Sequence, residues 1–195
     1  MDELTLLDWK RRIFALYVEV RADSSPERAW AHWRTIREEL FRTHPQSPAR
    51  GVIPRYFDYD PALRTYGTVE AAERVKTEIA TSGDKPYAFT RFATARFELA
   101  GSTQSLDLYW LDGYGGGIFL SFADATSGRE TYGACRYLLD TVKGADLGEV
   151  DGRLVLDFNF AYNPSCAYDP RWVCPLAPPG NRLPVAVRGG ERYPG

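Results

Sequence analysis

YAFTRFATARFELAGSTQSLDLYWL (87–111) reads as two β-strands joined by a turn. Phe89, Arg91, Ala93 and Ala95 fall on one face of the first strand. Thr90, Phe92, Thr94, Arg96 and Glu98 fall on the other. Period-two alternation over this length is the signature of a strand that buries one face. Ala100-Gly101-Ser102 turns the chain, and Ser105 to Leu111 returns as the second strand.

The pattern continues downstream. The loop 112–117 (DGYGGG) precedes a short apolar strand, Ile118 to Phe122. That loop lacks the helix that follows a dinucleotide-binding glycine motif and the Lys-Ser/Thr of a P-loop, so it reads as a hairpin turn needing positive φ. Asp124 to Gly128 reads as an Asx-type turn, with a lesser reading in which Asp124 faces a ligand. Thr131 to Leu138 is an irregular strand or turn. Arg153 to Phe160 is the last strong strand, with Leu154, Leu156, Phe158 and Phe160 on one side and Val155, Asp157, Asn159 and Ala161 on the other. The Pro/Gly-rich tail (175–195) keeps Leu183, Val185 and Val187 as a candidate final strand.

Upstream the period changes to that of a helix. Residues 3–21 place Leu6, Leu7, Ile13, Phe14, Leu16, Tyr17 and Val20 at mostly helical spacing. A second helix starts with Ser24 as cap, Pro26 in the first turn and Glu27 as capping-box partner. It carries Ala29, Trp30, Trp33, Ile36, Arg37, Leu40 and Phe41 on one face and stops near His44, because Pro45 follows. Residues 69–80 fit a helix by propensity and strands by alternation; the turn-forming 81–84 (TSGD) favours strands. The whole predicts an α+β fold. A helical segment (3–43) leads a β-rich body (55–195), with an antiparallel sheet curled like a barrel or sandwich, in one domain over 1–195.

Composition narrows the function classes. The chain has 195 residues, enough to bury roughly 70% of its unfolded surface. A net charge of −2 gives no cationic surplus for a phosphate backbone, so no nucleic-acid partner is expected. No apolar run reaches the ~20 residues of a membrane span, and the start of the chain does not read as a secretory signal. A soluble, cytoplasmic protein is the expectation. Three cysteines leave one odd thiol in any disulfide scheme, which favours reduced thiols.

The stretch 155–179 (VLDFNFAYNPSCAYDPRWVCPLAPP) is dense in Asn, Pro, Cys and aromatics, and here chemistry is sought. Asp157 and Asn159 form either a polar pocket or a buried structural pair, with Arg136 the natural partner. Cys166 is a candidate nucleophile, with His44 the better of two possible bases. The plainer reading is a rigid turn in which Cys166 packs as a small hydrophobe. Cys166 and Cys174, eight apart, lack the close Cys pairs of a structural zinc site, and no spacing supports a carboxylate metal site at Asp124, Asp157 or Glu191. They can close a short disulfide loop under oxidation. No metal or cofactor is expected.

FLSFADATSGRETYGACRYLLD (119–140), DFNFAYNPSCAYDPRWVCPLAPPGNRLPVAVRGGER (157–192) and HPQSP (44–48) together resemble the bacterial domain-of-unknown-function family 1684. One departure is visible: the chain has Gly133-Ala134-Cys135-Arg136-Tyr137 where that family carries Gly-Gly-Arg-Tyr. The resemblance implies a stand-alone bacterial protein and singles out Asp124, Tyr132, Arg136, Asp157, Asn159, Asn163, Cys166, Cys174, Asn181 and Glu191. From these comes the leading expectation. It is a pocket for a small polar or anionic molecule, with Arg136 supplying charge, Asp157, Asn159 and Asn163 fixing orientation, and Tyr132, Tyr162, Tyr168 and Trp172 as walls. The alternatives are a Cys166/His44 hydrolase or transferase, and a non-catalytic interaction protein that uses the charged face of the second helix as a homodimer surface.

Overall fold

The computed structural model describes residues 2–194. Two helices, α1 (Asp2–Ala22) and α2 (Pro26–Thr43), precede seven strands. These are β1 (Arg64–Ile79), β2 (Tyr87–Leu99), β3 (Ser102–Leu111), β4 (Ile118–Phe122), β5 (Arg136–Asp140), β6 (Glu149–Val150) and β7 (Arg153–Asp157). They form one antiparallel sheet in the order β5-β4-β3-β2-β1-β7-β6. The architecture is α+β, as the switch of period predicts.

The sheet curls until its two sides nearly meet. Just beyond β7, Tyr162 pairs with Tyr137 of β5, each N–H reaching the other's carbonyl at 2.8 and 3.0 Å. The helices pack across the concave side. Ile13, Leu16, Tyr17 and Val20 of α1 lie at i, i+3, i+4 and i+7. With Trp33 and Leu40 of α2 they join one buried cluster with Leu106, Leu120, Leu156 and Phe158 of the sheet and Leu183 and Val187 of the tail. Leu6, Leu7 and Phe14, assigned to the same α1 face by spacing, are instead largely exposed.

Four sequence readings shift. The cap of α2 is Ser25, which accepts the Arg28 N–H, while Asp23 Oδ1 takes the Ser25 N–H at 2.7 Å; Ser24 and Glu27 form no capping box. Of residues 69–80, all but Ala80 belong to one long strand, β1, whose register shift between Ala71 and Val75 absorbs the break in alternation. The last strong strand ends at Asp157, not Phe160. Asp157 Oδ1 accepts the Asn159 N–H at 3.1 Å, turning Phe158–Phe160 into a 3₁₀ turn and burying residues of both expected faces. The tail forms no strand over 183–187, yet Leu183 and Val187 are buried in the core. The 112–117 loop is a turn with Gly113 at φ +118° and Gly115 at φ +74°.

Candidate functional site

The chain leaving the 3₁₀ turn crosses from β7 to β5 and lays Tyr162, Asn163 and Pro164 against the helices. A further 3₁₀ turn, Ser165–Ala167, follows. Beneath this segment lies a cavity of about 80 Å³. Its walls include Trp9 and Tyr17 of α1, Trp33 and Arg37 of α2, Asp140 at the end of β5, Lys143 just after it, and Tyr162, Asn163, Ser165 and Cys174 of the crossing loop. One water needs ~10–15 Å³ of such space, so the cavity suits a molecule of only a few heavy atoms.

Glu191 organises the cavity wall from behind. It is fully buried and accepts three donors: Arg37 Nε, the Asn163 N–H at 2.7 Å and the Tyr168 hydroxyl at 2.8 Å. Arg37 lies over the faces of Phe41 and Tyr162, each ring centroid 4.9 Å from its guanidinium carbon. Glu191 is placed by Gly190, whose φ is +72° and whose missing Cβ would lie 2.2 Å from the Ala161 carbonyl oxygen. At the cavity mouth Lys143 Nζ is 3.3 Å from Asp140 Oδ2, which raises the lysine pKa and keeps it charged. Burial raises the Tyr17 and Tyr162 pKa values, so both phenols are neutral donors.

One group in this wall is unsatisfied. Asn163 is 2% exposed, and its Nδ2 donates to the Arg192 carbonyl at 2.8 Å. Its Oδ1 is buried with no hydrogen-bond partner. Such an acceptor costs roughly 1–3 kcal/mol when left unpaired.

The other residues singled out by sequence are distributed elsewhere. Arg136 is 1% exposed and engaged by its own chain: Nη2 donates to Asp124 Oδ2 at 2.6 Å and to the Val187 carbonyl at 2.8 Å, and Nη1 to the Gly189 carbonyl. It therefore does not pair with Asp157, and it offers no free charge to an anionic ligand. Asp157 instead meets Arg64 Nη1 at 3.1 Å and both nitrogens of Asn159. Asn159 in turn brackets Asp60, accepting its N–H and donating to its carbonyl. Asn181 ties β3 to β4, accepting the Asp107 N–H and donating to the Asp107 and Ser121 carbonyls. Asp124 closes the anticipated Asx turn onto Thr126. Of the expected aromatic walls only Tyr162 lines the cavity. Tyr132 stacks on Tyr193, Tyr168 serves Glu191, and Trp172 donates to the Pro48 carbonyl.

The cysteines gather apart from the histidine. The Cys166 N–H points at Cys174 Sγ, 3.4 Å away, and the Tyr132 hydroxyl lies 3.7 Å from Cys166 Sγ. A hydrogen bond from the Cys174 thiol, against the opposing effect of burial, pulls the Cys166 pKa down to about 6; the same bond pushes that of Cys174 up. His44 is buried against Trp9, with Nε2 3.1 Å from Asp8 Oδ2 and Nδ1 accepting the Gln46 N–H. No hydrogen bond joins it to Cys166. Among the described residues no cluster of three or more His, Cys, Asp or Glu forms a metal site, and no helix is long and apolar enough to cross a membrane.

The chain belongs to the family described as Protein of unknown function (DUF1684), whose sequence profile matches residues 53–192. It is also similar to the solution NMR structure of an uncharacterized protein of Haloarcula marismortui. The identity is 34% and the TM-score 0.59, with 82% of this chain and 89% of that one covered. No curated protein matches. The DUF1684 match begins after the HPQSP segment. It contains the Arg136–Asp124 and Arg64–Asp157 pairs entirely, whereas Trp9, Tyr17, Trp33 and Arg37 of the cavity precede it.

Those four residues, with Asp140, Lys143 and Ser165, are among the site residues that sequence reading missed. Arg37 carried a visible signal: a lone cation within an otherwise apolar helix face. Trp9 and Tyr17 carried none, since aromatics on a helix face read as core.

Proposed function

We propose that the protein binds a small polar molecule in the cavity under the 162–174 loop. Asn163 carries the reading: it lines the cavity, and its buried Oδ1 lacks the N–H or O–H donor that a buried acceptor calls for, which a small shift of the side chain towards a ligand would supply. Lys143 and the Tyr17 and Tyr162 hydroxyls supply donors for an acceptor on the same molecule. The two buried arginines are already paired, which favours a neutral or zwitterionic ligand over a strong anion. Five aromatic rings (Trp9, Tyr17, Trp33, Tyr137, Tyr162) supply the apolar contact expected of a ligand site.

The test is a thermal-shift screen of small amides, amino acids and polyols against the wild type and Ala145→Leu. Ala145 is a buried wall residue, and its enlargement fills the cavity. At least one compound should raise the wild-type Tm and leave the filled variant unchanged. Equal shifts in both proteins, or none in the wild type, would overturn the reading.

A further inference from the structure

Cys166 and Cys174 are held in contact by a fixed frame. The Cys174 N–H donates to Ser82 Oγ at 3.0 Å, and its carbonyl accepts the Ser82 N–H at 3.0 Å. Cys166 sits in the 3₁₀ turn with its own N–H on Cys174 Sγ. The remaining side of Cys166 Sγ faces the hydroxyl of Tyr132, which stacks on Tyr193 at a centroid distance of 6.3 Å. With Cys166 9% and Cys174 6% exposed, a protein-sized oxidant is excluded from both, and any oxidant that reaches them is small. The third thiol, Cys135, is fully buried, its sulfur on the Pro175 carbonyl, and burial raises its pKa.

We propose that Cys166 and Cys174 form a two-electron redox site that reduces a small hydroperoxide, with Cys166 as the attacking thiolate and Cys174 as the resolving thiol. The Cys166 sulfur attacks one peroxide oxygen. An S–O bond forms, the O–O bond breaks, and the leaving oxygen takes a proton to depart as an alcohol or water. The Cys174 sulfur then attacks the sulfenic sulfur. An S–S bond forms, the S–O bond breaks, and the hydroxide leaves as water with the Cys174 proton. Two thiols are oxidised to a disulfide while one hydroperoxide is reduced, and an external small thiol reverses the change by exchange. The division of roles follows from the hydrogen bonds. The Tyr132 hydroxyl lies 3.7 Å from Cys166 Sγ and can donate to a thiolate there, which places the attacking sulfur on Cys166. Because Cys174 also lines the cavity, the disulfide ties the 166–174 segment to the cavity wall.

Trypsin places the three cysteines on separate peptides, Glu130–Arg136, Leu154–Arg171 and Trp172–Arg182, so linkage can be read directly. The reduced protein is treated with stoichiometric hydrogen peroxide, quenched with an alkylating reagent under denaturing conditions, and mapped by mass spectrometry. The expected product links Leu154–Arg171 to Trp172–Arg182, with Cys135 alkylated. Cys174→Ser should accumulate a sulfenic acid on Cys166 that dimedone traps, and Cys166→Ser should leave Cys174 unoxidised. With the Cys166 pKa at about 6, the oxidation rate should fall about tenfold from pH 7 to pH 5 as the thiolate is protonated. Absence of the linked peptides from the oxidised wild type, or equal reactivity of Cys174 in Cys166→Ser, would overturn the proposal.

Discussion

Arg136 meets one carboxylate and three backbone carbonyls while 1% exposed, so it acts as a tie between β5, the 124–128 turn and the tail. Removing one member of a buried pair strands the other charge, at about 3–5 kcal/mol. Arg136→Met should lower the unfolding free energy from urea denaturation by that amount, and Asp124→Leu on the same background should recover part of it. A loss below ~1 kcal/mol would show that water reaches the pair. Asp157 allows a pH test. Burial raises its pKa above the ordinary 3.8, against the hydrogen bonds from Asn159 and Arg64 that lower it. A carboxyl whose folded pKa is raised contributes stability that is fully present below its unfolded pKa and fades as pH climbs through the folded one. The stability of wild type relative to Asp157→Asn should therefore be greatest at about pH 3, below the ordinary carboxyl pKa, and lower at about pH 7. Denaturation at the two pH values decides; a difference that grows with pH would reverse the sign assigned here.

At the level of elements, what could be read from the sequence was periodicity, and what could not was competition from side chains. The β2–β3 hairpin follows its alternation: Phe89, Ala93, Ala95, Phe97 and Leu99 are all buried. Residues 153–160 alternate just as well, yet the strand stops at Asp157 because that carboxylate caps the next turn. Alternation carries no information about a side chain that bonds two residues ahead. The α2 start shows the same effect on a smaller scale. Ser24 and Ser25 are equally good caps by type, and Asp23 decides between them by taking the Ser25 N–H. Ser25→Ala should cost about 1 kcal/mol, whereas Ser24→Ala should stay within ~0.5 kcal/mol. Equal costs in thermal denaturation would mean that the cap is shared.

Across the whole molecule, the candidate site was legible only where its residues lie close in sequence. Asn163 and Cys174 were named from the 155–179 stretch, and both line the cavity. Arg37 and Glu191 are 154 positions apart, and nothing in either neighbourhood announces the pair. That pair nevertheless supports the closure of the sheet. Glu191 holds α2 through Arg37 and the crossing loop through the Asn163 N–H, and the residue before Asn163 makes the Tyr137–Tyr162 bridge. Glu191→Gln removes the charge that compensates buried Arg37 while preserving the side-chain size, so the damage should concentrate at this seam. Amide hydrogen exchange separates local opening from global loss. In the variant, protection at Tyr137, Tyr162 and Asn163 should fall by more than protection at Ala95 and Leu106 in the middle of β2 and β3. The reason is physical: those central strands have paired neighbours on both sides, whereas the seam is a single bridge. If protection fell by the same factor at all five amides, the seam would open only when the whole sheet unfolds. Glu191 would then stabilise the molecule as one unit instead of fastening its two sides.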